Sequence, residues 1–302
     1  MTVSLLAQTG MIGAGPDGLV AVLLAGGRGS RLGDLTARQS KPAVEFTGGR
    51  RIVDFVMGNA IQSGIDAMIV CTQWQPDTLV AHLRAHWAAG FARGLVFRDG
   101  ADVAQSGGYL GTAHAVACNA AELDGAGARE VLVLAADHIY AMDYREMVAV
   151  HRAVGLPVTV AALPVAREAA RSFGVFETRG PCHAVRFLEK PDDPPAMFGN
   201  PDRALISMGI YIFNWAWLRD VIGQDATGSC QVPLDFGNDL LPRAVERGEV
   251  GVYCFSTPGV EEPPYWRDVG TVSALTDARA DLAGDNPPIP LPVYPVAASG
   301  SG

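Results

Sequence analysis

The sequence predicts an α/β fold built on a mainly parallel mixed central sheet with helices on both faces. Two observations predict it. From Leu19 onward, short apolar runs of strand type alternate with helical segments, the order expected where parallel strands are joined by helical crossovers. The first run, residues 20–25, passes straight into the glycine turn Gly26-Gly27-Arg28-Gly29, and in such sheets ligands sit outside the carboxyl ends of the strands. A chain of 302 residues forms one large α/β domain or two small ones, with a sizeable core in either case.

Taken in order, strands are predicted at residues 20–25, 67–72, 95–97 and 131–135, with helices near 52–62, 76–87, 111–121 and 144–153. Residues 26–31, Gln73 and Asp137 all follow strands, so they are expected on one rim. After a run at 158–164 the character changes. Residues 173–178 and 182–188 flank an Arg-Gly-Pro turn and read as a hairpin. Further strands are expected at 208–213 and 250–255, with a helix near 239–246. Residues 284–302 are rich in proline, then in alanine, serine and glycine, the composition of a linker or loose tail.

The net charge of −9 argues against coating nucleic acid or lying on a membrane surface. An anionic substrate would need a locally basic pocket in an otherwise acidic body. Of 23 cationic residues only Lys41 and Lys190 are lysine, and both precede proline; either a compact ammonium is needed at those points or the pairing is chance. Cys71, Cys118, Cys182, Cys230 and Cys254 are scattered, without a CxxC. That pattern points to reduced thiols in a cytoplasmic protein rather than to a disulfide frame or zinc site. Residues 1–18 lack the features of a signal peptide, and no run is long enough to span a membrane.

The glycine turn itself carries chemistry. Its backbone N–H groups can approach a ligand closely, and arginines within it offer forked donors to phosphate. It lacks the third small residue of a dinucleotide fingerprint, since Leu32 stands there, and it lacks the Gly-Lys-Ser/Thr of a Walker A loop. An ordinary strand-to-helix turn remains the alternative until Lys41-Pro42-Ala43-Val44, a second basic element, follows it.

Together the two stretches resemble the nucleotide-binding opening of the sugar-nucleotide pyrophosphorylases, and within these the glucose-1-phosphate adenylyltransferases. The likeness continues in family order through Ala136-Asp137-His138-Ile139-Tyr140, Phe187-Leu188-Glu189-Lys190-Pro191, Ser207-Met208-Gly209-Ile210-Tyr211 and Tyr265-Trp266-Arg267-Asp268-Val269-Gly270-Thr271. It implies a Rossmann-like nucleotidyltransferase domain over residues 19–283, after an N-terminal tail at 1–18, with the hairpin half forming the sugar side of the cleft. The implied reaction is transfer of the adenylyl group of ATP to glucose 1-phosphate, giving ADP-glucose and pyrophosphate for glycogen or α-glucan synthesis. Another nucleotide or sugar, or a non-catalytic regulatory subunit, are the alternatives. No nucleic-acid or membrane partner is implied, and a homo-oligomer is compatible with the resemblance.

The resemblance also implies roles. Asp137 and Asp268 match paired Mg²⁺ ligands; the plain alternatives are a helix cap before Tyr144 or a solvated turn for Asp137, and a structural salt bridge for Asp268. Arg31 and Lys41 would hold the triphosphate, whereas Arg28 stays open between that role and a solvated turn. Leu24, Gly26, Gly27, Gln73, Gly111 and Thr112 match nucleotide contacts, Thr112 being alternatively an N-cap. Tyr109, Gly174 and Ser207 match sugar-nucleotide contacts, with ordinary packing or turn roles as the alternative. Glu189 matches a contact to sugar hydroxyls, or is only solvated, and Lys190 matches the grip on the phosphate of glucose 1-phosphate. The chain departs from the family pattern at Gly108, His114, Glu45 and residues 98–107, which bear on base preference and regulation. His114 is read as a helix-surface residue without a role. Members usually continue from such a tail into a left-handed β-helix; this sequence stops at Gly302, so little response to effectors is expected.

Overall fold

Leu19–Leu24 is apolar at every position, and burial on both faces of a sheet is what such a run demands. The computed structural model describes residues 12–15, 17–225, 232–256 and 262–295. In it this run is β1, followed by α1 (Val53–Gln62), β2 (Ala67–Thr72), α2 (Asp77–His86), β3 (Gly94–Asp99), α3 (Gly100–Val103), α4 (Thr112–Cys118), α5 (Ala120–Ala126), β4 (Glu130–Ala135), β5 (His138–Tyr140) and α6 (Tyr144–Val154). The second half adds β6 (Val158–Ala166), α7 (Arg167–Ala170), β7 (Gly174–Arg179), β8 (His183–Glu189) and β9 (Arg203–Asn214). It closes with α8 (Trp215–Asp225), α9 (Leu241–Glu246), β10 (Val250–Cys254), β11 (Trp266–Asp268) and α10 (Val272–Ala283). No helix among the described residues is long and apolar enough to cross a membrane.

The α/β class and the mixed sheet stand, but the sheet is not mainly parallel. Its order is β3-β2-β1-β4-β9-β6-β10-β8-β7. The first four strands run parallel; β9 is antiparallel to both β4 and β6. The expected hairpin is present as β7 and β8, and its first strand also pairs with β9 at Val175↔Ile206 and Phe176↔Leu205. Strands β9, β6, β10, β8 and β7 therefore close into a small ring, which removes the open edge that an unpaired hairpin would leave. Strand β9 can serve three neighbours because it has 12 residues and begins at Arg203, five before the predicted start.

Alternation along β1 divides the core. Leu19, Ala21 and Leu23 face a cluster with Val56 and Met57 of α1, Leu83 of α2 and Met147 of α6. Val20 and Val22 face the opposite cluster, with Val116 of α4, Leu123 of α5, Leu218 of α8 and Val245 of α9. A third cluster joins Leu32, Val44 and Phe46 to Ile139, Val269 and Leu275, and so ties the turn after β1 to β5, β11 and α10. The helix predicted over 111–121 is broken: Asn119 separates α4 from α5, and its side-chain amide donates to Ala115 O at 2.8 Å and to the Tyr109 hydroxyl at 3.1 Å.

The expected loose ends are partly docked. Gly13 N donates to Arg93 O and Ala14 N to Ala126 O. At the other end, Ile289 is buried, and Leu291 and Pro292 lie where a Cβ on Gly48 or Gly58 would approach them to 3.2 Å. Arg50 donates through Nε to Pro292 O at 2.6 Å and covers the Tyr294 ring at 3.9 Å. Tyr294 stacks on His86 at 4.4 Å and sets its hydroxyl 3.1 Å from Asp54 Oδ2. Asp54 is fully buried and also takes hydrogen bonds from Arg51 N at 2.8 Å and Trp87 Nε1 at 2.7 Å, with His82 Nε2 at 2.6 Å. Residues 1–11, 296–302 and Cys230 lie outside the described residues; Cys71, Cys118, Cys182 and Cys254 are in no disulfide among the described residues.

Candidate active site

The turn after β1 is shaped by what stands behind it. Gly29 has φ 64°, and a Cβ there would lie 2.7 Å from Lys41 Cβ. Glycine thus permits both the left-handed backbone and the close approach of Lys41. Lys41 opens a short 3₁₀ turn, Lys41–Ala43, and is buried. Its ammonium donates to Asp137 Oδ2 at 2.9 Å and to Asp268 Oδ1 at 3.1 Å. Asp137 follows β4, and the antiparallel pairing of β5 with β11 sets Asp268 opposite His138. A local turn and one long-range register together bring the two carboxylates to one cation.

Of the plain alternatives only the helix cap falls away; Asp137 lies in a partly exposed turn, and Asp268 does form a salt bridge, with Lys41. Helix α6 is capped by Asp143, which accepts from Arg145 N, and Arg267 pairs with Asp281 rather than with Asp268. Burial alone would raise the Asp137 carboxyl; the neighbouring His138 and the Lys41 ammonium outweigh it and hold the group below its ordinary value. Asp137, His138 and Asp268 offer ligand atoms within 4.8 Å of one another. Two carboxylates already bridged by a cation are donors that fit a hard divalent ion such as Mg²⁺.

A cleft of about 720 Å³ opens along this rim, lined by Leu24, Gly26, Gly27, Arg31, Lys41, Gln73, Tyr109, Gly111, Thr112, Asp137 and Glu189. A smaller pocket of about 180 Å³ adjoins it through Glu189, Gly209, Tyr211 and Gly237, and adds Gly174, Ser207, Trp266 and Asp268. Gln73 accepts a hydrogen bond from Tyr109 N. Tyr109 lines the larger cleft beside Gln73, with its hydroxyl donating to Arg98 O at 3.1 Å. Thr112 is not an N-cap, because Gly111 holds that position.

Thr112 instead donates through Oγ1 to Asp235 Oδ2 at 2.8 Å and accepts from Phe236 N at 3.0 Å. Asp235 lines the cleft and also accepts from Gly237 N. Sequence reasoning missed it; the Asp-Phe-Gly turn composition at 235–237 was the available signal. Gly111 sits tightly under this loop, since a Cβ there would come within 2.3 Å of Leu234 O. Gly111→Ala is expected to push the loop out of the cleft wall and to cost about 1–3 kcal/mol, read by urea denaturation. Unchanged stability would mean that the loop yields freely.

Three residues stand apart. Lys190 lines neither cavity; its side chain is 65% exposed and ion-paired with Glu189 at 3.2 Å, on a backbone with φ 46°. Arg28 stacks on Trp74 at 4.3 Å instead of lining the cleft. His114 is buried rather than on a helix surface, and its Nδ1 accepts from Leu110 N at 3.1 Å.

Comparison with known proteins bears on the family of the chain. The family model described as nucleotidyl transferase matches residues 20–284. A protein of Cereibacter sphaeroides named glucose-1-phosphate adenylyltransferase is 41% identical over 280 residues, covering 90% of this chain and 66% of the relative. Proteins of the same name from a Jannaschia species and from Rhodospirillum rubrum are 44% and 43% identical over 89% and 90% of this chain, again 66% of each relative. The chain thus spans just under two thirds of the length of these curated relatives. With the family model matched from β1 through α10, the chain belongs to the nucleotidyl transferase family.

Proposed function

We propose that residues 19–283 form a catalytic domain that transfers the adenylyl group of ATP to glucose 1-phosphate, giving ADP-glucose and pyrophosphate. The observation that carries this reading is the meeting of Arg31, Lys41, Asp137 and Asp268 where a nucleotide-sized cleft adjoins a smaller polar pocket. The names of the relatives select adenylyl transfer within the family. The parallel order β3-β2-β1-β4 supports a Rossmann-like reading in which the triphosphate lies over the glycine turn at the carboxyl ends of these strands.

In this reading a phosphate oxygen of glucose 1-phosphate attacks the α-phosphorus of ATP, and the bond to the β-phosphate oxygen breaks to release pyrophosphate. Such transfers depend on in-line positioning and charge stabilisation, and no covalent residue is needed. Arg31 and Lys41 take the charge that grows on the leaving oxygens. Gly26 and Gly27 let the backbone approach the phosphates, while Gln73, Tyr109, Gly111 and Thr112 bound the nucleoside. Glu189 and Ser207 face the sugar hydroxyls beside Gly174. Asp137 and Asp268 would hold Mg²⁺, which when bound neutralises phosphate charge.

Lys190 must swing from Glu189 toward the smaller pocket to hold the sugar phosphate, and its flexible stem permits that. Pyrophosphate release is expected with glucose 1-phosphate, Mg²⁺ and ATP, and more slowly with other nucleoside triphosphates. No release with any triphosphate would overturn the reading. Lys190→Ala is expected to raise the apparent KM for glucose 1-phosphate at least about tenfold, since a ground-state grip is lost. An unchanged saturation curve removes Lys190 from the site.

A further inference from the structure

The two lysines of this chain are placed differently: the side chain of Lys41 is 6% exposed and that of Lys190 is 65% exposed. The Lys41 ammonium holds one oxygen of each carboxylate, Asp137 Oδ2 at 2.9 Å and Asp268 Oδ1 at 3.1 Å. One oxygen of each carboxylate that could hold a divalent cation is therefore engaged by a monovalent one. A divalent ion arriving alone meets a like charge at hydrogen-bond range, and displacing the ammonium would leave a buried cation without acceptors.

The stem of Lys41 is fixed where it leaves the backbone, because its Cβ packs against Gly29 in the turn that lines the cleft. Rotation about the outer bonds of the side chain carries the ammonium from the carboxylates toward anything held over that turn. Arg31 differs. Its guanidinium lies over Gly270, where a Cβ would approach Nη2 to 2.9 Å, and no ion pair joins it to either carboxylate among the described residues. Arg31 adds to the field of the cleft without occupying the metal-binding oxygens.

We propose that Lys41 is a built-in counter-ion for Asp137 and Asp268: it keeps a divalent cation off the pair in the free protein, and releases the pair when a polyphosphate offers its ammonium other acceptors. The release step rests on the reading of the larger cleft as a nucleotide site; the exclusion step does not. Metal and nucleotide then enter together, and a free divalent cation is a poor ligand of the resting protein.

Mn²⁺ is the probe, with bound and free ion separated by electron paramagnetic resonance in the absence of nucleotide. Lys41→Met is expected to bind Mn²⁺ at least about tenfold more tightly than wild type, and Arg31→Met to change the affinity much less. Unchanged or weaker binding by Lys41→Met overturns the proposal. An equal gain in Arg31→Met also overturns it, since net charge would then suffice. A second measurement needs no variant and covers the case in which Lys41→Met does not fold. Wild type labelled with ¹³C at the lysine ε-carbon should show two side-chain signals. The Lys41 signal should stay in place with Mg²⁺ alone and shift with α,β-methylene-ATP in the absence of metal. A shift with Mg²⁺ alone, or none with bound analogue, overturns the counter-ion role. If equilibrium dialysis finds no binding of the analogue, the nucleotide reading fails, while the Mn²⁺ and Mg²⁺ arms still decide the exclusion step.

Discussion

Asp137→Asn and Asp268→Asn are each expected to lose nearly all turnover, roughly a hundredfold or more, while the fold persists. The amide keeps the shape of the side chain and removes the charge. A neutral amide is a poor ligand for a hard divalent cation, and it leaves the buried ammonium of Lys41 with one carboxylate in place of two. The check is the initial rate of pyrophosphate release, with circular dichroism to show that each variant is folded. Rates close to wild type in both folded variants would rule the pair out of the chemistry.

Asp54→Asn is expected to be the most destabilising conservative change, by about 3 kcal/mol or more. The carboxylate is fully buried and serves Arg51 N, Trp87 Nε1, His82 and Tyr294 at once. An amide oxygen can replace one acceptor, but its NH₂ then faces donors. Burial raises the Asp54 carboxyl, yet the hydrogen bonds from His82, Arg51 N and Trp87 outweigh it and hold the group below its ordinary value of 3.8. A depressed folded value means that the carboxylate contributes its full stability above that ordinary value. The contribution is lost as the pH falls from there through the lower folded value. Urea denaturation should therefore show a large gap between wild type and variant at neutral pH that narrows below about pH 3.8. A gap independent of pH would mean that packing, not charge, is what Asp54 supplies.

The parts of this molecule that were legible in the sequence are the local ones. A short apolar run followed by Gly26-Gly27-Arg28-Gly29 specifies β1 and its turn within a dozen residues, and the apolar run ending at Ala135 likewise marks the rim at Asp137. What was illegible depends on pairing across long separations. Thr112 and Asp235 are 123 residues apart, and no local pattern links a helix start to a distant turn. The closure of the second half depends on β7 meeting both β8 and β9, which alternation within each strand leaves undetermined. Lys41 was readable as a cation near phosphates; that it bridges both carboxylates depends on the register of β5 with β11. His114 looked exposed because a single polar residue on a short helix gives no sign of burial, and its bond to Leu110 N is a tertiary fact.

The docking of residues 284–295 also moves the practical edge of the folding unit. A protein fragment cut at Gly284 would strip Ile289 from the third cluster, uncover the side of Trp87 that Tyr294 covers, and deprive Asp54 of one partner. Limited proteolysis should accordingly spare the bonds before Tyr294 in the folded protein. Pro295 lies against the Gly90 corner, where a Cβ would approach its ring to 3.2 Å. That corner immediately precedes β3 at Gly94, on the amino-terminal edge of the parallel strands and opposite the rim that forms the cleft. A surface anchor or fluorescent reporter attached after this point would hang from the back of the sheet and leave the mouth of the cleft clear for diffusing substrates.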